Sequence, residues 1–280
     1  MKLKSKSLSK ALHNKSIILG SVMVLIVIFI AIFAPYLSPY DLDEMDMGNT
    51  LSPPNSKHLF GTDQYGRDFL TRIFHGARIS LFVGILSVVL SMVLGVILGL
   101  LSGYYGGWID SVIGRIIDVF LSFPVLLLAI ALVAVLEAGT SSVIIALCLV
   151  QWTQYSRVVR SSVLSIKEEE YVLAAKTIGA SNSRIIRLYI LPNALAPIIV
   201  IATLGIGTAI VSEATLSFMG LGVQPPTPSW GYALSFGLRY MRVAPHMATI
   251  PGLAIMFTVL GFNLLGNGIR DITDPRMINI

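Results

Sequence analysis

Long apolar runs alternate with polar stretches along this chain, and the polar stretches carry nearly all of its charge. The first run, residues 17–34, contains no charged residue; at about 1.5 Å per residue it reaches near 27 Å, enough to cross the hydrocarbon core of a bilayer. The pattern predicts further spans at about 79–101, 112–136, 194–218 and 247–269. A shorter apolar run at 143–150, continued by Gln151, Trp152, Thr153, Gln154, Tyr155 and Ser156, predicts one more, whose polar half has to be enclosed by protein or line a watery path. The basic start and Ala31-Ile32-Phe33-Ala34 also fit a secretory signal. The run is longer than a usual signal core and Pro35 follows the cleavage position, so an uncleaved first span is the better reading.

Details within the spans add expectations. Ser87, Ser91, Gly95, Gly99 and Gly103 recur every four residues in the second span, a ridge that permits close helix approach in lipid. In the third, Arg115 and Asp118 are placed to pair along one face, and Pro124 is expected to kink the helix. In the fifth, Glu213 is a carboxylate in an apolar run near its outer end; it is a candidate for the translocation path or for a structural hydrogen bond. Gln151 and Gln154 share that double reading. Residues 216–230, LSFMGLGVQPPTPSW, are too rich in Pro and Gly for a helix and predict a rigid loop.

One polar island, residues 165–193, interrupts the apolar plan. Ser165 and Glu168 have capping-box spacing. Tyr171, Ala174, Ala175 and Ile178 fall at i, i+3, i+4 and i+7, a flat apolar stripe, and Gly179 is suited to end that helix. A second short helix is expected from Ser181, with Pro192 ending it. By pattern alone such a pair fits a segment resting on the membrane surface.

Composition agrees with a membrane protein: 55% hydrophobic, 12% charged, mean hydropathy +0.79. The lone Cys148 excludes a disulfide framework and a cysteine metal site within the chain. The net charge of +5 marks orientation rather than nucleic-acid binding. Of 20 Lys and Arg residues, 14 lie in the two tails, at Arg115 and between Arg157 and Arg187. The positive-inside rule then places both termini and the island in the cytoplasm. Residues 37–77 hold His58, Asp63, Asp68 and His75, but neither an HxxxH spacing nor paired carboxylates on one face, so no metal or acid-base site is expected there. No GxxxxGK[ST] phosphate loop occurs, which excludes ATP hydrolysis by that route, and the chain is not read as an enzyme.

Three stretches carry a resemblance. Ala174, Ala175, Gly179, Leu191 and Pro192 resemble the cytoplasmic loop motif of ABC importer membrane subunits, with Leu173 at the family's Glu position and Tyr189 at its Ile position. GTDQYGRD and SEATLSFMGLGVQPPTPSWG are similar to segments of the permeases that import peptides and nickel. The resemblance covers nearly all of the chain after about Lys15. It implies an all-α bundle of six transmembrane helices, of the type I importer kind, in a bacterial inner membrane: a tail 1–16, a first span 17–36, an extracytoplasmic segment 37–77, a five-helix core 78–269 containing the coupling loop 165–193, and a tail 270–280. It further implies a coupling helix docked on an ATPase through Glu168, Tyr171, Ala174, Ala175, Ile178, Gly179, Leu191 and Pro192. The implied partners are a second permease, two ATP-binding subunits and an extracytoplasmic substrate-binding protein, with no cofactor in this chain because ATP is bound by those subunits. A secondary transporter driven by an ion gradient and a non-transporting scaffold are the alternative classes; the first predicts charged residues near the midplane of several spans.

Overall fold

The computed structural model describes residues 14–273. The basic residues expected to orient the first tail, Lys2 to Lys10, and most of the last tail, 274–280, lie outside the described residues. Ten α-helices make up the described architecture. Asn14 caps α1 (Lys15–Leu37), its Oδ1 accepting from the Ser16 and Ile17 amides, and Pro35 sits in the last turn. Residues 38–68 then form an irregular segment at one end of the bundle, called here the loop end; the opposite end, which carries Lys15, Tyr105 and residues 167–190, is the basic end.

Asp68 caps α2 (Phe69–Tyr105) by accepting from the Thr71 amide. At about 1.5 Å per residue its 37 residues reach about 55 Å, far beyond a bilayer core of about 30 Å, so α2 extends out of the lipid. α3 (Gly107–Leu121) and α4 (Val125–Leu136) stand where one kinked span was expected, and they are bent by 90° at a break that ends on Pro124. Among the described residues, five helices are long and apolar enough to cross a membrane, six if this bent pair counts as one span.

α5 (Thr140–Ile166) is the central helix: 67% of its most apolar stretch is buried, against 39% or less in the other long helices. That enclosure is why Gln151, Thr153, Tyr155 and Ser156 are tolerated, while Gln154 faces outward. The ridge on α2 faces it. A Cβ on Gly99 would stand 2.7 Å from the Ser156 carbonyl oxygen and one on Gly103 2.8 Å from Val163 Cβ, so the two backbones meet where no side chain fits. α6 (Glu170–Thr177) and α7 (Asn182–Ile185) follow at the basic end, then α8 (Leu191–Phe218). After the loop 219–229, α9 (Trp230–Arg239) lies at the loop end, and α10 (His246–Thr273) returns through the bundle. α1 packs on α10 through Gly20, Gly261 and Gly268, and turns Leu25, Phe29 and Ile32 outward.

The expected pair within α3 does not form. Arg115 is exposed, and Asp118 instead meets Arg157 of α5 at 3.5 Å. A stronger cross-link lies one end nearer the turn: Arg160 of α5 binds Asp110 of α3 bidentately, both N–O distances 2.6 Å, and the Ser102 hydroxyl donates to the same carboxylate. α3 is thus tied to α5 by charge as well as by Phe120 packed edge-on against Trp152.

Candidate functional site

Residues 165–193 build a two-helix platform. α5 continues to Ile166, so Ser165 lies within its last turn and makes no capping box with Glu168; Glu169 stands at the start of α6 without a side-chain cap bond. Val159 and Val163 extend the buried stripe of α5, and that packing carries the helix past the local start signal. Glu168 is exposed on the connecting turn.

α6 is apolar on both sides. Val172 and Ala175, one turn apart, are buried with Val159, Val163, Ile185 and Ile190. Tyr171, Leu173, Ala174 and Ile178 are exposed, Ile178 to 83%. This corrects the single stripe expected from the sequence. Val172 sets the buried side, and Ala175, three residues on, turns with it toward the spans at 4% exposure, while Ala174 is left outside.

Gly179 ends α6 as expected. Its φ of +80° places it in the left-handed region, the Ala180 amide bonds back to the Ala175 carbonyl, and the Gly179 amide bonds to Lys176, a Schellman closure. Ser181 Oγ then accepts from the Arg184 amide to start α7. Pro192 does not end this second helix. Residues Ile186–Ile190 form a π-turn, with the Leu191 amide bonded to the Ile186 carbonyl, and the chain runs on as one helix from Asn182 to Phe218. The extra residue of the π-turn stands just before Pro192, where a ring without an N–H would otherwise break the ladder.

The platform is braced on the bundle. The Tyr104 hydroxyl, at the end of α2, donates to Asn182 Oδ1 at 2.8 Å, Lys176 lies over the Tyr104 ring, and Tyr171 meets Tyr189 at 6.3 Å between ring centres. Leu191 is half-buried and Pro192 exposed.

At the other end of the same helix, Glu213 is fully buried. The Ser217 hydroxyl donates to its Oε1 at 2.7 Å and the Ser80 hydroxyl, from α2, to its Oε2 at 3.3 Å. Each serine also accepts from the loop: Ser217 from the Val223 amide and Ser80 from the Trp230 amide. The Trp230 indole N–H adds a bond to the Ile73 carbonyl. Glu213 therefore pins the loop 219–229 to α2 and α8. Its serine partners were not legible beforehand, because Ser80 lies 133 residues away and neither residue sits in a motif. Gln151 is buried with its Nε2 unpartnered among the described residues, and Gln154 is exposed; the structure does not bring them together with Glu213.

A bundle of this kind, with a buried central helix and a braced helix pair at one end, is the fold of ABC importer membrane subunits. It matches the inward-facing MetNI methionine ABC transporter with a TM-score of 0.58 at 21% identity, over 73% of this chain and 98% of that one. An amino acid ABC transporter matches with a TM-score of 0.57 at 15% identity, over 71% and 92%. Residues 95–279 match the family described as binding-protein-dependent transport system inner membrane component, and the chain belongs to that family. Residues 7–54 match the N-terminal TM domain of oligopeptide transport permease C. Among relatives, the dipeptide transport system permease protein DppC of Alkalihalophilus pseudofirmus is 49% identical over 94% of this chain and 87% of its own length. The di/tripeptide transport system permease protein DppC of Pseudomonas aeruginosa is 42% identical over 95% and 90%. The glutathione transport system permease protein GsiD of Shigella flexneri is 47% identical over 92% and 86%.

Proposed function

We propose that this chain is one of two related permease subunits of an importer for small peptides, driven by two ATP-binding subunits at the basic end and supplied by a binding protein at the loop end. The observation that carries the reading is the two-sided helix α6. One side, Val172 and Ala175, is locked to the spans; the other exposes Leu173, Ala174 and Ile178 beyond them. A braced apolar face outside the lipid is a surface for a protein partner. The positive-inside rule puts that face in the cytoplasm, where ATP is available, and residues 38–68 and 219–245 outside.

The geometry supports a transmission route. A push on α6 passes through α7 and the π-turn into α8 as one continuous rod of 37 residues. The far end of that rod holds Glu213 and Ser217, and through them the loop that runs to Trp230. Displacement at the platform is thereby delivered to the outer loop and to α2, and rigid-body switching between two packings of the bundle needs no further device.

Peptide cargo is supported by the relatives, whose names specify dipeptides, di/tripeptides and glutathione. Nickel complexes, expected equally from the sequence, have no such support among them. The test is reconstitution of the chain with its partner permease, ATPases and binding protein in proteoliposomes. ATP-dependent accumulation of a labelled dipeptide or of glutathione is expected; accumulation driven by an ion gradient without ATP would overturn the proposal.

A further inference from the structure

One face of the central helix changes character halfway along. Val143, Leu147, Val150, Gln154, Arg157 and Ser161 recur at alternating spacings of four and three, which places them in one row along α5. The first three are buried in a cluster with Ala129 and Val133 of α4. The last three are exposed. The covered half of the row is thus apolar and the open half polar, the reverse of what contact with lipid selects.

The open half begins at membrane depth. A Cβ on Gly95 of α2 would stand 2.5 Å from Tyr155 Cβ and 2.7 Å from the Trp152 carbonyl oxygen, so Gln154 is level with Gly95. Gly95 lies six residues inside the end of the apolar run 79–101, about 9 Å by helical rise. Arg157, level with Gly99, is nearer that edge.

The 90° bend between α3 and α4 is what leaves this face open: α4 crosses the apolar half of the row, and α3 brings Asp118 to Arg157 beside the polar half. The two charges share a single contact of 3.5 Å, with side chains 68% and 58% exposed, whereas Arg160 grips Asp110 bidentately. Ser122, one turn beyond Asp118 and on the same face, is exposed with Phe123 and Pro124 at the break. Phe120 against Trp152 sets that break close to the level of Gln154. Non-helical backbone at this depth is tolerated where it borders protein or water. Broken backbone and polar row therefore open on the same space.

Lipid tails cannot answer these groups, and an anionic headgroup that paired with Arg157 would meet Asp118. A lasting helix contact in lipid is built on small residues at close approach, as at Gly99 and Gly103. Here long side chains stand up from the helix, and the ion pair is loose enough to exchange partners. A solute bearing one charge of each sign fits both partners at once. Short peptides carry that pair at their termini, and the termini are what dipeptides of every sequence share.

We propose that this open row is the part of the cargo path supplied by this chain: Arg157 binds the terminal carboxylate of the peptide, Asp118 its terminal ammonium, and Gln154 its amide. The inference rests on the importer reading above and names the residues that contact the cargo.

The complete importer in proteoliposomes provides the test, with uptake of a labelled dipeptide followed at saturating binding protein. Arg157→Gln and Asp118→Asn are each expected to reduce uptake about tenfold or more, and Arg157→Lys, which keeps the cation, by less. The double variant separates a cargo site from a plain ion pair. If the two residues hold different ends of the peptide, their losses multiply to about a hundredfold. If they serve only to neutralise each other, the double variant transports at least as well as either single one, which would overturn the proposal. Thermal midpoints are expected to stay unchanged, since an exposed pair adds little stability; midpoints falling in step with uptake would assign both residues to folding instead. With Cys148 replaced by Ala, Gln154→Cys should react with a water-soluble maleimide in the assembled complex. No reaction there would mean that the second permease or lipid covers the row, and would also overturn the proposal. If the unaltered complex takes up no dipeptide on ATP, the importer reading fails first; normal uptake in it and in both single variants removes this inference alone.

Discussion

Replacing Glu213 by Gln tests whether this carboxylate holds a loop or takes part in transport. The substitution keeps the side-chain shape and one acceptor, and exchanges the other oxygen for an amide NH₂. The amide keeps the stronger bond, from Ser217 at 2.7 Å, and turns its NH₂ toward Ser80, whose present bond is 3.3 Å. The Ser80 oxygen already accepts from the Trp230 amide and takes the new donor on its second lone pair, so its own proton loses its acceptor. One unpaired buried hydroxyl proton costs about 1–3 kcal/mol. Glu213→Ala loses both bonds and leaves a cavity, for about 2–5 kcal/mol. Thermal midpoints of the purified complex, with peptide uptake by the same preparations, are the assay. Glu213→Gln should lower the midpoint and reduce uptake modestly, and Glu213→Ala should lower both further. Unchanged stability with complete loss of uptake in Glu213→Gln would refute the structural role and favour an ion-coupled mechanism.

Other consequences are as direct. With Cys148 replaced by Ala, cysteines at the exposed positions Ser56 and Val243 should label with an impermeant reagent from outside the cell and one at Ser183 should not; outside labelling at Ser183 would invert the topology. Gly99→Val sets a Cβ 2.7 Å from the Ser156 carbonyl oxygen with a branch beyond it, and should sharply reduce folded yield, since overpacking costs about 1–3 kcal/mol and the obstacle here is backbone; normal yield would mean that α2 and α5 are not so close. A double-mutant cycle on Asp110→Asn and Arg160→Gln should return a coupling of about 1 kcal/mol or more in unfolding free energy, because the pair is bidentate and partly buried; additive effects would remove it as the tie between α3 and α5.

The spans were legible because lipid admits so few charges that their absence is itself a boundary signal, and the ridge from Ser87 to Gly103 because only small residues at that spacing let two backbones meet. Gly179 was legible for a local reason, as its backbone conformation is one that few other residues adopt. Relations between distant residues were not. Asp118 chose Arg157 over its neighbour Arg115, and Asp110 found Arg160, 50 residues on; no periodicity on one helix encodes the angle at which another crosses it. Pro192 reads as a stop only if the helix before it is α-helical throughout, and the π-turn removes that condition. On α6 the spacing named four apolar positions but not which side the bundle would take. With Val172 and Leu173 also apolar, burial of Val172 rather than Tyr171 decided that Ala175 faces in and Ala174 out.

That assignment makes the coupling claim sharper and gives its most direct test. Ala174→Arg places a long cation on the exposed face of α6, where it harms nothing in the chain itself but would stand between α6 and the ATPase proposed to dock there. Ala175→Arg drives the same side chain into the cluster of Val159, Val163 and Ile185, so it damages the platform whatever docks on it. The decisive measurement is the amount of ATPase recovered with a tagged permease pair. For Ala174→Arg, with folded yield and thermal midpoint unchanged, one of the two ATPase copies should be lost and uptake should stop. Full ATPase recovery together with normal uptake would contradict the claim that this face couples the chain to ATP.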